Sequence, residues 1–147
     1  MKPRSNRKTA LTPQFIELVP PELDEGVLYV SMVYGCAIHK CCCGCGEKVV
    51  TPLSPTDWKL TFDGESISLH PSIGNWSFPC RSHYWIQENQ VRWAEQMSDE
   101  QIKAGRLADW VAKARYYGQR SAAAAASVAG AKAGGWRARL RKIFGRD

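Results

Sequence analysis

The chain has 147 residues, the length of about one domain, and its 44% hydrophobic and 23% charged residues are typical of a globular protein. No apolar run approaches the roughly 20 residues of a membrane-spanning helix, and no apolar segment follows the basic N-terminus as in a secretory signal. We therefore expect a cytoplasmic protein whose thiols stay reduced.

Positive charge is concentrated in the C-terminal third of the chain. Residues 1–99 carry nine Lys and Arg against eleven Asp and Glu, whereas residues 100–147 carry eleven against three. A uniform nucleic-acid-binding domain would not have this distribution, so we expect no nucleic-acid partner. The basic tail could instead contact an acidic surface or a membrane.

Apolar periodicity predicts a β-rich body. After a flexible basic arm at residues 1–12, we predict a β-rich domain over residues 13–97, which the cysteines described below make a candidate zinc-binding domain. Its predicted strands lie at residues 15–19, 27–34 with an extension to 39, 58–62, 66–70, 82–86 and 91–93. Residues 71–76 (PSIGNW) are predicted as a loop, because Pro and Gly flank the serine.

The period changes to helical at Ser98, which resembles an N-cap with Gln101 three residues later. We predict a helix over residues 98–120, with its regular stripe stopped by Gly118. Residues 121–147 form an Ala-rich linker and a basic tail whose apolar residues fall at helical spacing: Trp136, Leu140, Ile143 and Phe144. The predicted fold class is α+β, a small mainly antiparallel β domain followed by a C-terminal helix and a basic tail.

Six cysteines are present, and four of them fall within residues 41–45. Cysteines this crowded cannot readily pair with one another, and in a reducing compartment such a cluster is typical of a metal site. Four thiolates would close a tetrahedral zinc site, and the candidates are Cys41, Cys43, Cys45 and Cys80. Cys42 would point away. A rival set replaces Cys41 by His83, because Cys80 and His83 have Cys-x-x-His spacing.

A serine and a histidine near the cysteine cluster indicate nucleophilic chemistry if zinc leaves the histidine free. Ser72 is the candidate nucleophile and His83 its base, while the Asn75 amide could donate to an oxyanion. The acid that orients the base could be Asp57 or Asp63. If His83 instead binds zinc, the metal could be catalytic and a bound water the nucleophile.

Four motifs carry a resemblance to a known family: HKCCCGCG (residues 39–46), VTPL (50–53), SLHPSIGNW (68–76) and PCRSHYWI (79–86). The resemblance extends from about Gly26 to Trp93, which is about half of the chain. The chain resembles a bacterial zinc-binding family of unknown function. Members of that family are encoded in ubiquitin-like conjugation operons, beside a ubiquitin-like protein and its activating and conjugating enzymes.

The resemblance implies a protease that processes the ubiquitin-like precursor or cleaves its conjugates. It implies that Cys41, Cys43, Cys45 and Cys80 bind zinc, and that the ubiquitin-like protein and the two enzymes are partners. Two other functions stay open: a non-catalytic zinc adaptor that binds the conjugation enzymes, and a zinc-dependent metallopeptidase. The near-neutral body and its many tryptophans favour the adaptor, since aromatic surfaces often bind partners.

Overall fold

A computed structural model of the chain describes the backbone of residues 6–144, with side chains up to residue 131. Eight strands precede one helix. The strands are β1 (Thr12–Phe15), β2 (Val27–Ser31), β3 (Cys36–Lys40), β4 (Lys48–Pro52), β5 (Lys59–Phe62), β6 (Ile67–Gly74), β7 (His83–Gln87) and β8 (Gln90–Trp93), and the helix is α1 (Asp99–Phe144). This order confirms the predicted α+β class.

The strands form two four-stranded sheets, β1-β2-β3-β4 and β5-β6-β7-β8. All pairs are antiparallel except β1 with β2, which run parallel. Alternate residues of both sheets enter one apolar core, to which Val30 and Ala37 contribute from the first sheet and Leu69 and Ile86 from the second. The other face of the second sheet carries the polar residues between these core positions.

The strand β6 is longer than predicted, because it includes residues 71–74, which the sequence assigns to a loop. Its pairing with β7 shifts register between Leu69 and Ile73, so the two strands are separated by a bulge and then pair again. Ile73 is buried in the core, and its burial holds the segment in the sheet despite the neighbouring Pro71 and Gly74. Ser72 therefore lies on a bulged strand and not on a tight turn.

Two strand predictions near the N-terminus are wrong in position. The apolar segment at 15–19 pairs as a strand only at Phe15, because Ile16 and Val19 pack against a small second cluster around Tyr29 instead. The predicted continuous strand from Val27 to residue 39 is a hairpin whose turn occupies residues 32–35.

The predicted helix cap is confirmed. The backbone N–H of Ser98 donates to the side chain of Gln101 at 2.8 Å, and the Gln101 N–H donates to Ser98 Oγ at 3.2 Å. The helix continues through Gly118 and past residue 120, where the sequence predicts its end, because the alanines that follow have the highest helix propensity. The side chains of the predicted amphipathic segment at 136–144 lie outside the described residues.

Part of the predicted flexible arm is bound to the β-rich region. Residues 1–5 lie outside the described residues, but the N–H of Lys8 donates to the Cys42 carbonyl at 2.8 Å, and the N–H of Leu11 donates to the Asn89 carbonyl at 2.8 Å. The chain divides into two compact units, residues 1–102 and 103–147. Among the described residues, no helix has the length and apolarity needed to cross a membrane.

Candidate active site and metal centre

The turn between β3 and β4 carries four cysteines, and we call residues 41–46 the knuckle. The Cys41 N–H donates to the Glu47 carbonyl at 2.8 Å, and the Gly44 N–H donates to the Cys41 carbonyl at 3.0 Å. Gly44 has a φ of 84°, and a Cβ there would lie 3.0 Å from the carbonyl oxygen of Asn6. Only glycine fits this position without strain, so the sequence Cys-Gly-Cys is what lets the chain turn between two sulfurs.

A loop between β6 and β7 brings Cys80 to the knuckle. Its base is closed by a hydrogen bond from the Asn75 N–H to the Ser82 carbonyl at 2.8 Å. The Cys80 sulfur then lies 3.8 Å from that of Cys45 and 3.9 Å from that of Cys41. Cysteines that are 35 and 39 positions apart in the sequence are thus brought together.

Four sulfurs form the cluster: those of Cys41, Cys43, Cys45 and Cys80 all lie within 4.8 Å of one another. Two sulfurs bound at about 2.3 Å to one tetrahedral ion lie roughly 3.8 Å apart, so the spacing fits a single ion. These four cysteines could hold a metal ion, and they are the set that the sequence predicts. His83, from the rival set, is not a member of this cluster.

Burial disfavours the thiolate forms of two of the clustered cysteines. Burial raises the pKa of the Cys41 and Cys43 thiols, so removing their protons requires a positive charge nearby. A bound metal ion supplies that charge. Burial likewise raises the pKa of Cys42 to about 12, and this thiol lies outside the cluster, as predicted.

Asn75 and Ser82 lie beside the cluster. Ser82 Oγ is 3.0 Å from the Cys41 sulfur and 3.5 Å from the Cys80 sulfur. The Asn75 amide donates to Ser82 Oγ at 2.9 Å and lies 3.8 Å from the Cys41 sulfur. Both side chains are buried, so they form a polar link between the sulfurs and the start of β7.

Ser72 and His83 meet on the solvent-facing side of the second sheet. Gly74 of β6 is paired with His83 of β7, and Ser72 lies two residues earlier on the same face. The Ser72 hydroxyl oxygen is 2.9 Å from His83 Nε2, within the distance at which a base can take a proton. Both residues are half-buried. The pair predicted from residue types is therefore in contact.

The backbone carbonyl of Glu95 contacts the other nitrogen of His83, Nδ1, at 2.6 Å. A carbonyl oxygen only accepts hydrogen bonds, so in the neutral form of the imidazole Nδ1 carries the hydrogen and Nε2 presents its lone pair to Ser72. The chain after β8 is held in place by the Ala94 N–H, which donates to the His83 carbonyl at 2.9 Å. The imidazole is thus fixed in orientation and in tautomer.

Neither predicted acid occupies this position. Asp63 accepts hydrogen bonds from the N–H groups of Glu65 and Ser66 in the turn between β5 and β6. Asp57 accepts a hydrogen bond from Ser54 Oγ at 2.7 Å in the loop before β5. The expectation of a carboxylate came from the usual composition of catalytic triads, whereas here a main-chain oxygen fills the place.

Trp76 forms a wall against His83. The two ring centroids lie 4.9 Å apart with an interplanar angle of 58°. A Cβ on Gly74 would collide with the Trp76 indole, so glycine allows the ring to lie flat on β6 next to the imidazole. The sequence pattern placed Trp76 only at the end of a predicted loop. The sequence signal for this packing was the order Gly-Asn-Trp, which places a residue without a side chain two positions before a large ring.

Comparisons with known proteins give one finding. A family model described as "Bacterial ubiquitination-like system serine protease (BubE)" matches residues 15–94, which include both halves of the Ser72–His83 pair and all four clustered cysteines. The match confirms the resemblance drawn from the four sequence motifs. Comparison with curated proteins gave no match, and comparison with solved structures gave none.

Proposed function

The chain belongs to the bacterial ubiquitination-like system serine protease family (BubE), and on this premise we propose that it cleaves the bond that follows the C-terminal residue of a bacterial ubiquitin-like protein. The bond would be a peptide bond in the precursor or an isopeptide bond in a conjugate. The partners are the ubiquitin-like protein and, through its conjugates, the activating and conjugating enzymes of the same system.

The observation that carries the proposal is the contact between Ser72 Oγ and His83 Nε2 at 2.9 Å, with the tautomer of His83 set by the Glu95 carbonyl. A serine hydroxyl at its normal pKa is a weak nucleophile, and a neutral imidazole within hydrogen-bond distance activates it. The arrangement resembles a catalytic triad in which the third member is a main-chain carbonyl.

The reaction is acyl transfer. Ser72 Oγ attacks the scissile carbonyl carbon while His83 Nε2 takes the hydroxyl proton. The imidazolium then gives this proton to the leaving amine as the carbon–nitrogen bond breaks, and an ester on Ser72 remains. A water molecule attacks that ester, His83 takes its proton, and the proton returns to Ser72 as the acid product leaves.

The oxyanion of the tetrahedral intermediate needs a hydrogen-bond donor. The sequence predicts Asn75 or a nearby backbone N–H, and both stay as proposals. The Asn75 amide already donates to Ser82 Oγ at 2.9 Å, so it would have to exchange this bond to reach the intermediate. A backbone N–H of β6 near Ser72 would need no such exchange. Donors of this kind contribute about 3–4 kcal/mol in other enzymes.

We propose zinc as the ion at the four cysteines, because an all-sulfur tetrahedral donor set is typical of structural zinc sites. Such an ion stabilises the fold and leaves no open position for substrate. Here Cys41, Cys43 and Cys45 would hold the knuckle, and Cys80 would hold the loop that leads to His83 three residues later. The metal site thus supports the active site through the chain.

The test is cleavage of a ubiquitin-like precursor by the full chain and by two variants. Ser72→Ala and His83→Ala should each lower the rate at least about 10³-fold, because removal of either member of such a pair disables the nucleophile. Ser68→Ala, on the same face of β6, is the matched control and should keep full activity. Full activity of both test variants with metal still bound would overturn the serine mechanism. Stable complexes without any cleavage by the wild type would support the adaptor instead.

A further inference from the structure

The second sheet leaves one strand edge unpaired beside Ser72. The strand β5 pairs with β6 from Lys59, which is opposite His70, to Phe62, which is opposite Ile67. No residue of β5 therefore reaches the part of β6 beyond His70. The strand β6 continues to Gly74, and within the described part of the chain no strand pairs with residues 71–74 on the β5 side. Four residues of backbone, including that of Ser72, therefore border an open edge.

The direction of the hydrogen-bonding groups follows from the pairing with β7. The Asn75 N–H donates to the Ser82 carbonyl, which lies on the β7 side. Alternate residues of a strand direct their N–H and carbonyl groups to opposite edges, so Ile73 also faces β7, whereas Ser72 and Gly74 face the open edge. The open edge thus offers the donors and acceptors of two residues for strand pairing.

A groove of about 510 Å³ lies where β5 begins, at Lys59. Its walls include the apolar side chains of Leu53, Trp58 and Pro71, and His70 lies at its border. Pro71 lines the groove and is the residue immediately before Ser72, so the groove lies next to the edge that carries the proposed nucleophile. An extended chain on the edge could place an apolar side chain in it, because alternate side chains of a strand point to one face.

We propose that the tail of the ubiquitin-like protein binds as an additional strand on residues 71–74, with one apolar side chain of its acyl part in the groove. This proposal rests on the proposed function, since it names how that substrate reaches Ser72. Main-chain pairing supplies affinity and the groove supplies specificity, as in other cases of strand addition. The acyl part is the occupant because precursor and conjugates share it, whereas their leaving groups differ.

The first experiment compares Trp58→Ala with wild type in two assays. Its kcat/KM for the ubiquitin-like precursor should fall at least tenfold, mainly through KM, while labelling of Ser72 by a small fluorophosphonate should change less than threefold. Trp110→Ala, an exposed tryptophan of α1, is the matched control and should change neither. Trp58→Phe keeps the aromatic wall and should restore most of the precursor cleavage.

The second experiment leaves the protein unaltered, so it does not depend on how variants fold. Synthetic peptides spanning the cleavage site carry one N-methylated backbone amide each. On the acyl side, methylation should lower kcat/KM at least tenfold at alternate positions and less than twofold between them, because only alternate N–H groups face the strand edge. Equal rates at all positions, with normal labelling of Ser72, would overturn strand addition alone. Failure of the wild type to label at Ser72 or to cleave would overturn the proposed function as well.

Discussion

Gly74 controls the position of His83 through the ring of Trp76. The indole lies where a Gly74 side chain would be, and it contacts the imidazole at a centroid distance of 4.9 Å. We predict that Gly74→Ala displaces Trp76 and lowers the rate of precursor cleavage at least tenfold, with the chain still folded. The fluorophosphonate labelling rate of Ser72 should fall in parallel.

The control for this variant is Gly105→Ala in α1, where nothing lies within 4 Å of the added Cβ. Alanine has the higher helix propensity, so this variant should be as stable as wild type or slightly more stable, with unchanged cleavage. If Gly74→Ala cleaves as fast as Gly105→Ala, Trp76 does not position His83.

Two separate measurements can assign the role of Asn75, which either supports the cysteine cluster alone or also stabilises the oxyanion. Its amide contacts Ser82 Oγ and lies near the Cys41 sulfur, and loss of groups that hydrogen-bond to metal ligands typically lowers metal affinity about 10–100-fold. We predict that Asn75→Ala loses metal to a chromophoric chelator faster than wild type. An oxyanion role predicts in addition that kcat falls about 10²–10³-fold in protein that has kept its metal. Unchanged metal retention would contradict the link between Asn75 and the cluster.

At the scale of elements, the β5–β6 hairpin depends on the charge of Asp63. Hydrogen bonds from the N–H groups of Ser66 and Glu65 lower the pKa of this carboxyl from 3.8 to about 2. The folded state therefore binds the proton less readily than the unfolded state, so the stabilisation is complete above about pH 4 and disappears as the pH falls through 2. Asp63→Ala should lower Tm at pH 7, and the difference from wild type should shrink as the pH falls from 4 toward 2.

Asp63→Asn keeps an acceptor oxygen without the titrating charge, and its Tm should lie between those of wild type and Asp63→Ala. A difference between wild type and Asp63→Ala that stays constant over this pH range would contradict the assigned role. Thermal unfolding followed by circular dichroism provides the measurement.

Sequence periodicity identified β5, β7 and β8 because apolar and polar residues alternate along these strands. It identified the start of α1 because Ser98 and Gln101 form a regular helix cap. It failed at β6, where a bulge and long-range burial of Ile73 hold a Pro- and Gly-containing segment in a strand. Turn-forming residues predict a loop locally, and only the packing against β7 reverses that preference. The same segment carries Ser72, so the irregularity of the strand coincides with the candidate nucleophile.

Residue types predicted the Ser72–His83 contact and the four-cysteine cluster, since each chemistry requires specific side chains. They could not predict the Glu95 carbonyl, because every residue has one. Nor could they predict the open edge of β6, which exists because β5 begins only at Lys59, opposite His70. What the sequence lacks is therefore information about the backbone and not about the side chains.

At the scale of the whole molecule, the four-cysteine cluster joins two distant parts of the first unit. We predict that Cys80→Ser lowers the bound metal to well below one ion per chain, lowers Tm and reduces cleavage at least tenfold, because the loop to His83 loses its anchor. Metal content by mass spectrometry, together with Tm and cleavage rate, measures all three.

Cys36→Ser is the matched control, because this cysteine lies outside the cluster and its sulfur should be dispensable for metal binding. It should keep the metal and the cleavage rate. Metal-free wild type that retains its Tm and activity would show that the four cysteines do not anchor the loop.

The oxygen that orients His83 belongs to the main chain of residue 95, so replacing the Glu95 side chain does not remove it. In the proposed mechanism, the position of this oxygen therefore depends on the course of the chain after β8 and not on the Glu95 side chain. A search for a Ser–His–acid triad in this sequence would match Ser72 and His83 but would overlook the third group, because that group is a main-chain carbonyl.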